Sequence, residues 1–465
     1  MTKVNFQRGY GSVDRPLMGV LWERDSTGPD TAMKAKGNYE PDNRQVDFRR
    51  YYDSEYFKRE IEKIWKKQWL FACREEEIPE VGDRMPFDVG PLSFIIAHSK
   101  SGEFKAFYNS CLHRGTQLCT KAESAATIRC PFHGWEWNID GRLKRIPDHW
   151  DFTEITPKNG ALREVKLGRW GGFIFINADP ECAPLEESLS IIPEHFKDFS
   201  AEDRYTAARF RKLVPANWKI VQEAFMESYH LSTTHPQAIP FSGDSQTQYD
   251  IWTTPHGAIG RNAVPSALPS MQAPPDASLD FAAAMSAEAL RQWHYPEIEP
   301  AAAWTPGQDP RAQFGAWHRK VFEQTYGREQ TGSDSFMMDA VLYFMFPHFC
   351  PWRSEGIPIV YRFLPHETDP CKSYFEVRLL RPLTKGQPRP PAAPLVTVGI
   401  DESIEEKAPG FGFLAPIFDQ DMSNMPLIQR GIQAADPTRT HTQLGAYQES
   451  LIQHWHELMD RFMAP

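Results

Sequence analysis

The chain has 465 residues, of which 41% are hydrophobic and 24% are charged, and its formal net charge is −10 at pH 7. This composition is typical of a folded globular protein of two or three domains and excludes disordered, collagen-like and coiled-coil chains, while the negative charge argues against a nucleic-acid-binding surface. Since no run of about 18 apolar residues occurs and residues 1–10 contain no apolar signal region, we expect a cytoplasmic protein without a membrane span.

The first part of the chain predicts a polar arm, a helix and a β-domain. Residues 1–50 are polar and irregular in pattern. A helix is predicted to begin at Asp53 or Ser54, because apolar residues after that point recur at the helical period. Short alternating segments such as 94–98, separated by Gly and Asp turns, then predict a small β-domain over residues 66–170.

The rest of the chain mixes helix and strand patterns. Residues 213–235 predict one helix, and residues 236–335, rich in Pro, Ala, Ser and Gly, predict a long insertion of loops and short helices that covers a pocket. Apolar runs predict sheet strands; they lie at 341–346, 359–365 and 374–380. An amphipathic pattern from Leu444 to Phe462 predicts a C-terminal helix.

Four potential metal ligands lie in two short motifs. Cys111-x-His113 is followed by Cys130-x-x-His133. Gly115 lies two residues after His113, and Gly134 lies directly after His133. Two thiolates on one iron and two imidazoles on the other would hold a [2Fe–2S] cluster of raised reduction potential. The same donors could hold a structural zinc ion, although zinc modules usually pair cysteine with cysteine.

A second group of potential ligands lies in the segment 217–237. Glu227 and His230 are three residues apart, so on a helix the carboxylate could accept a proton from the imidazole and fix its orientation. Pro236 favours a helix end just before His235, which would let both imidazoles turn toward one point. Two histidines with one carboxylate form the facial triad of oxygen-activating Fe(II), although two histidines near a helix end are more often ordinary core or surface groups.

The motifs CLHRG at 111–115 and CPFHGW at 130–135 resemble the Rieske motif of ring-hydroxylating non-haem iron oxygenases, alpha subunits. The segment from NWK at 217–219 through the two histidines resembles the catalytic-iron helix of that family. The resemblance implies an α+β fold, with an all-β Rieske domain at 66–170 and a helix-grip catalytic domain with an antiparallel sheet at 171–465. The arm and helix of residues 1–65 would pack on the catalytic domain.

The resemblance also implies the ligands. The cluster ligands would be Cys111, His113, Cys130 and His133, and the mononuclear Fe(II) ligands would be His230, His235 and Asp421. The family's third iron ligand is an Asp in an acidic segment followed by a Gln, which favours Asp421 over Asp419, whose alternative role is a helix cap.

Two further residues follow from the same resemblance. By position, Glu227 would link an iron-ligand histidine to a cluster histidine. Asn217 would support the catalytic helix or the pocket, and ordinary hydrogen bonding within a helix is an equal alternative.

The implied activity is that of a terminal oxygenase. Electrons from NAD(P)H would arrive through a separate reductase, with or without a ferredoxin, and O₂ would hydroxylate a largely apolar, aromatic substrate by mono- or dihydroxylation. A homotrimer or α3β3 assembly would set the cluster of one subunit beside the iron of the next. The pattern F-x-E-x-Y-H, in place of F-x-x-D-x-Y-H, resembles monooxygenases of quaternary ammonium compounds. Oxidative C–N or C–O cleavage is therefore an alternative, and a non-catalytic electron-transfer protein is another.

Overall fold

The computed structural model describes residues 16–28, 30–37, 45–301 and 304–464. Much of the predicted N-terminal arm, residues 1–15 and 38–44, lies outside the described residues. The helices are α1 Met18–Glu23, α2 Thr31–Lys34, α3 Ser54–Glu60, α4 Leu185–Leu189, α5 Ile192–His195, α6 Trp218–Glu223, α7 Leu231–Thr234, α8 Leu279–His294, α9 Pro310–Tyr326, α10 Asp334–Met338, α11 Ile404–Lys407, α12 Leu414–Gln433 and α13 Ser450–Met463.

The strands are β1 Leu70–Arg74, β2 Asp83–Val89, β3 Leu92–Lys100, β4 Glu103–Tyr108, β5 Glu123–Ser124, β6 Thr127–Arg129, β7 Glu136–Asn138, β8 Leu143–Arg145, β9 Lys166–Trp170, β10 Phe173–Asn177, β11 Arg204–Val214, β12 Gln248–Thr254, β13 Gly257–Val264, β14 Ala340–Met345, β15 Phe349–Pro351, β16 Ile359–Pro365, β17 Ser373–Pro382 and β18 Leu395–Val398. Among the described residues, no helix combines the length and the apolar character that crossing a membrane requires.

The N-terminal β-domain consists of three small sheets. Their strand orders are β4-β3-β2-β5, β6-β7-β8 and β1-β10-β9, and every pairing within them is antiparallel. Strands β9 and β10 form a hairpin around residues 171 and 172, both glycines with positive φ. The boundary expected between residues 170 and 171 therefore falls inside this hairpin, whose second strand pairs with β1 of the β-domain.

The second domain is built on one eight-stranded sheet of order β12-β13-β14-β15-β16-β17-β11-β18. All its pairings are antiparallel except β11 with β18. Helices α6 and α12 contact strands of this sheet, and they bury Val221 and Phe418 in the core that contains Phe210 and Phe375. The α+β class with an antiparallel sheet is confirmed, as are the strands predicted at 341–346, 359–365 and 374–380. The helix predicted after Asp53 is also confirmed.

The single helix predicted over residues 213–235 is wrong. The chain is helical in α6 and α7, but residues 224–230 between them form turns. The break has a local cause, because the Ser228 N–H donates to the Tyr249 hydroxyl at 3.1 Å instead of to a helix carbonyl. The Ser228 hydroxyl is also buried against Thr247 and the Asp244 carbonyl. Residues 224–230 are therefore held by strand β12 and the loop before it.

The insertion predicted over residues 236–335 is partly wrong. Strands β12 and β13 lie within it but belong to the main sheet, and α8 and α9 have 16 and 17 residues rather than being short. The β-branched and aromatic residues of β12 favour a strand, which an average composition rich in Pro and Ala conceals. The predicted C-terminal helix is present but begins at Ser450 rather than near Leu444.

A buried ion-pair network lies on one face of strands β11, β16 and β17. The Glu376 carboxylate, whose side chain is 1% exposed, lies 2.6 Å from Arg211, 2.5 Å from Arg362 and 3.2 Å from Arg378. Burial alone would raise the pKa of Glu376, but the three guanidinium groups hold it well below its ordinary value. Glu77, in the turn after β1, also contacts Arg378, at 3.2 Å. The network thus joins the β-domain to the main sheet.

We predict that Glu376→Gln lowers the free energy of unfolding by about 3–5 kcal/mol at pH 7, because three buried guanidinium groups lose their shared counter-charge. Chemical denaturation measures this change. The matched control is Glu194→Gln, which removes an exposed carboxylate 2.5 Å from Lys197 and should change stability by less than about 1 kcal/mol. Equal effects of the two substitutions would contradict the importance of the network.

The same carboxylate predicts an acid dependence of stability. Because the pKa of Glu376 is lower in the folded state than in the unfolded state, its contribution is present above the unfolded value of about 4.3 and is lost as the pH falls toward the folded value. The difference in stability between wild type and Glu376→Gln should therefore shrink below about pH 4. A difference that stays constant down to acid unfolding would contradict this assignment.

Candidate metal centres

Two loops of the β-domain present a cysteine and a histidine each, and their backbones are folded alike. The N–H groups of Cys111 and Cys130 each donate to the carbonyl five residues ahead, at 2.8 Å in both loops. The carbonyls of the same cysteines accept from Gly115 at 2.9 Å and from Gly134 at 3.1 Å. Both glycines have positive φ, +75° and +72°, which a residue with a side chain rarely adopts. The sequence spacing therefore produces two matched ligand loops.

The two loops meet in like pairs, histidine with histidine and cysteine with cysteine. The Nδ1 atoms of His113 and His133 are 3.1 Å apart, and the His113 ring stacks on Trp135 with their planes 4° apart. Cys111 and Cys130 are 3% and 2% exposed, whereas His133 is exposed. This donor set fits a [2Fe–2S] cluster with two thiolates on the inner iron and two imidazoles on the outer one.

Three further side chains converge in the second domain. The Nε2 atom of His235 lies 2.9 Å from Oδ1 of Asp421, and Nε2 of His230 lies 3.5 Å from the same oxygen. One ligand atom from each residue lies within 4.8 Å of the others. Two neutral imidazoles and one carboxylate, with remaining positions open, are the donor set that suits a non-haem Fe(II).

The other nitrogen of each imidazole is held by an acceptor. Glu227 Oε1 lies 2.6 Å from His230 Nδ1, and its Oε2 accepts the His230 backbone N–H at 3.0 Å. Gln420 Oε1 lies 2.8 Å from His235 Nδ1. Because both Nδ1 atoms have an acceptor, both Nε2 atoms face the shared centre and can act as metal ligands there. Sequence reasoning missed Gln420, although its position directly before a candidate ligand on one helix is a usable signal.

Two helices position the three converging side chains. His230 and His235 flank the short helix α7, and Asp421 lies within α12. Residues two apart on a helix do not face the same way. Accordingly, Asp419 faces α11 instead, accepting from the Ser403 hydroxyl at 2.6 Å and from two N–H groups at the start of α11.

Asn217 lies at the start of α6 and makes local contacts. Its Oδ1 accepts from the Lys219 N–H at 3.0 Å, and its own N–H donates to Gln429 of α12 at 2.9 Å. Its side-chain amide donates to the Pro370 carbonyl at 2.6 Å. These hydrogen bonds fix α6 against α12. Their partners are Gln429, Pro370 and Lys219 rather than the three converging residues.

Charge is concentrated at the histidine–carboxylate group. Burial lowers the pKa of His230, but hydrogen bonds to Asp421 and Glu227 outweigh this and raise the pKa to about 10. Burial raises the pKa of Asp421, but the two histidines outweigh it and hold that pKa below its ordinary value. Without a metal the site thus favours an imidazolium–carboxylate pair. A divalent cation can take the place of that proton.

A cavity of about 580 Å³ opens beside this group. Its wall includes Glu227, His230 and Asp421, together with Glu223 and Glu449. Apolar side chains complete the lining; they include Ile220, Met425, Leu427, Ile428 and Ile452. The cavity combines carboxyl groups with apolar surface.

Aromatic side chains pack on the inner side of the same site. Phe225 lies 4.9 Å from Tyr361 and 5.0 Å from Phe375 between ring centres. Phe418, one helical turn before Asp421, lies 5.6 Å from Phe375. The sheet thus presents aromatic faces toward the helix that carries the carboxylate.

Comparisons with known proteins identify both domains. Residues 194–465 match the model of the ring hydroxylating alpha subunit (catalytic domain), and residues 68–156 match the Rieske [2Fe-2S] domain. The first match alone covers more than half of the chain.

Relatives with assigned activities are moderately similar. The carnitine monooxygenase oxygenase subunit of Escherichia coli (strain K12) is 30% identical over 210 residues, which are 44% of this chain and 55% of that protein. The glycine betaine monooxygenase oxygenase subunit of Chromohalobacter salexigens is 29% identical over 201 residues, 43% of this chain and 44% of that protein. The chain therefore spans about half the length of the curated relatives it matches.

Solved structures share the fold at low identity. The quaternary ammonium Rieske monooxygenase CntA in complex with L-carnitine has a TM-score of 0.61 at 18% identity, covering 91% of this chain and 97% of that one. Naphthalene 1,2-dioxygenase with indole bound has a TM-score of 0.63 at 17% identity, covering 90% and 92%. The expected Rieske and catalytic domains are thereby confirmed.

The cofactors of these two domains are a Rieske [2Fe–2S] cluster and a mononuclear iron, and the donor sets described above fit both. The chain belongs to the family of Rieske-type ring-hydroxylating oxygenase alpha subunits.

Proposed function

We propose that this protein is a terminal oxygenase that uses O₂ and electrons from NAD(P)H, delivered by a separate reductase with or without a ferredoxin, to hydroxylate an organic substrate. The convergence of His230, His235 and Asp421 carries the proposal, because an electron-transfer protein would need no such site. The occupied Nδ1 atoms and open Nε2 atoms add support, since they prepare two imidazoles for one metal.

We assign the candidate ligands to two metal centres with different roles. When bound, the cluster supplies single electrons and the mononuclear Fe(II) supplies the activation of O₂. We assign the cluster ligands as Cys111, His113, Cys130 and His133, and the Fe(II) ligands as His230, His235 and Asp421. Gln420 and Glu227 orient the two imidazoles, and Asn217 holds α6 in place.

We assign Glu227 as the link to a neighbouring subunit. Its partner His230 has a side chain that is 29% exposed, and the adjacent Tyr229 is 65% exposed. On the cluster loops, Phe132 is 57% exposed beside the exposed His133. Each centre thus lies next to apolar surface that a partner can cover, which fits a homotrimer or α3β3 assembly with a cluster of one subunit facing Glu227 of the next.

Two substrate classes are favoured by specific observations. A substrate with a quaternary ammonium group, hydroxylated beside nitrogen so that the C–N bond breaks, is favoured by the two monooxygenase relatives and by the glutamate at position 227. The carboxyl groups on the cavity wall attract such a cation. An aromatic substrate is the second candidate, favoured by the apolar side chains on the cavity wall and by an anthranilate 1,2-dioxygenase relative that is 28% identical.

A substrate screen distinguishes these classes. We expect substrate-dependent O₂ uptake by the reconstituted enzyme, with a product that has lost an N-alkyl group as an aldehyde. Product mass after reaction with ¹⁸O₂ is the measurement, and a product that retains two oxygen atoms on a ring would instead favour the aromatic class. If O₂ uptake never depends on any substrate of either class, the proposed activity is wrong.

We predict that Asp421→Asn removes the mononuclear iron and leaves the cluster intact, because the anionic ligand of the triad is lost. Iron analysis should fall from about three to about two atoms per chain, with the visible absorption of the cluster unchanged. Asp419→Asn is the control, since it weakens the cap of α11 without touching the triad. Loss of iron in the control but not in Asp421→Asn would identify Asp419, rather than Asp421, as the iron ligand.

We predict that Glu227→Gln keeps both metal centres but stops coupled turnover. The amide is isosteric, so binding sites remain, while the charged acceptor on His230 Nδ1 is lost. Stopped-flow reoxidation of the reduced cluster, together with product formation, measures the defect. Glu449→Gln is the control on the same cavity, because its carboxylate accepts from Gly445 instead. Wild-type rates in Glu227→Gln would remove this residue from the electron route.

A further inference from the structure

A second carboxyl group lies in the same cavity as Glu227 and belongs to none of the assignments above. Glu223, the last residue of α6, has a side chain that is 15% exposed and lines the cavity with His230 and Asp421. Both of its oxygens lie 3.1 Å from the Tyr51 hydroxyl, and Oε1 lies 2.8 Å from Nε2 of His456. Three distant parts of the chain therefore meet at this group.

The proton on His456 can be assigned from its neighbours. Arg50 contacts Nδ1 of His456 at 3.5 Å, and a guanidinium can only donate, so Nδ1 is the accepting nitrogen. The proton is consequently on Nε2, which donates to Glu223. With Tyr51 as a second donor, the pocket can stabilise Glu223 after it has lost its own proton.

The other charged groups around Glu223 are few. Lys219, on the same helix, is engaged with Glu60 at 2.6 Å, and Arg50 is engaged with Asp460 at 2.6 Å. Across the cavity lie the carboxyl groups of Glu227 and Glu449. Burial raises the pKa of Glu223 to about 8, against the opposing influence of Tyr51, Lys219 and Arg50. Burial therefore favours the protonated carboxyl group, and the donor groups around it favour its ionised form.

We propose that Glu223 is a proton-holding residue that supplies protons for O₂ reduction through the cavity whose wall it shares with His230 and Asp421. The inference rests on the proposed function, because only an oxygenase consumes protons at this place. The cavity, at about 580 Å³, has room for the waters that must carry the proton. Glu223 and Glu227 are four residues apart in sequence, and both line this space.

The reaction that needs these protons balances as follows. R–H, O₂, two electrons and two protons give R–OH and H₂O. The O–O bond and one C–H bond break, a C–O bond and the O–H bond of the alcohol form, and the two added protons end in water. NAD(P)H, through the reductase of the proposed function, supplies the two electrons. Glu223 gives up one proton at a time to a cavity water and is reprotonated from solvent. A donor whose pKa lies near the working pH is the most effective general acid.

The first test needs no metal. Infrared difference spectra of metal-free protein, titrated from pH 6 to pH 10, should show a protonated carboxyl band that disappears with a midpoint of about 8. Glu223→Gln should lack this band, and Glu449→Gln should retain it. Tyr51→Phe should move the midpoint upward, because the hydroxyl that favours the carboxylate is gone, and this variant serves if Glu223→Gln does not fold. A band that survives in Glu223→Gln, or a Tyr51→Phe midpoint that stays in place, overturns the proposal.

The second test uses the iron-loaded enzyme with its reductase. In wild type, product formed per NAD(P)H oxidised should decline as the pH rises through about 8. In Glu223→Gln product formation should be about 100-fold slower, without that pH dependence, and the electrons should appear as hydrogen peroxide. A purely structural role would not abolish the pH dependence, so a Glu223→Gln enzyme with the wild-type profile and coupling overturns the proposal. Wild-type protein that shows the carboxyl titration but consumes no O₂ would instead overturn the proposed function, and this inference with it.

Discussion

The hydrogen bond between Glu227 and His230, at 2.6 Å, is the interaction on which the catalytic site depends. His230 is the most exposed of the three converging residues, and a free imidazole there could rotate about its side-chain bonds. Glu227 forms hydrogen bonds with both the Nδ1 atom and the backbone N–H of His230. Together these bonds fix the orientation and the tautomer of the ring. The same carboxylate lies at the cavity wall.

The fold supplies this bond by interrupting a helix. Ser228 is tied to Tyr249 of β12, so the chain between α6 and α7 turns instead of continuing as a helix. The turn keeps Glu227 and His230 in contact although they do not share a helix face. In the β-domain, two loops that turn at Gly115 and Gly134 position the four residues that we assign to the cluster, and the buried network around Glu376 connects the two domains. Turns of the backbone thus position the residues of each centre, and Glu227 and Gln420 hold the imidazoles of the second.

Residues that are close in sequence could be predicted, and residues brought together by tertiary contacts could not. The residues that we assign as cluster ligands lie in two compact motifs whose loops turn at local glycines, so a sequence pattern alone can indicate Cys111 and Cys130. Asp421 lies far along the chain and was reached through the family resemblance alone. The break at Ser228 depends on Tyr249, and the place of β12 in the main sheet depends on pairing with β13. Neither partner can be inferred from a periodic pattern.

The most direct test of this account is anomalous diffraction at the iron edge from crystals of the iron-loaded protein. We predict one compact peak between the Nε2 atoms of His230 and His235 and the Asp421 carboxylate, with Glu227 still bonded to His230 Nδ1. An elongated peak from two irons should lie between the cysteines and histidines of the two β-domain loops. Iron in those loops together with an empty second site, after loading with excess Fe(II), would contradict the account.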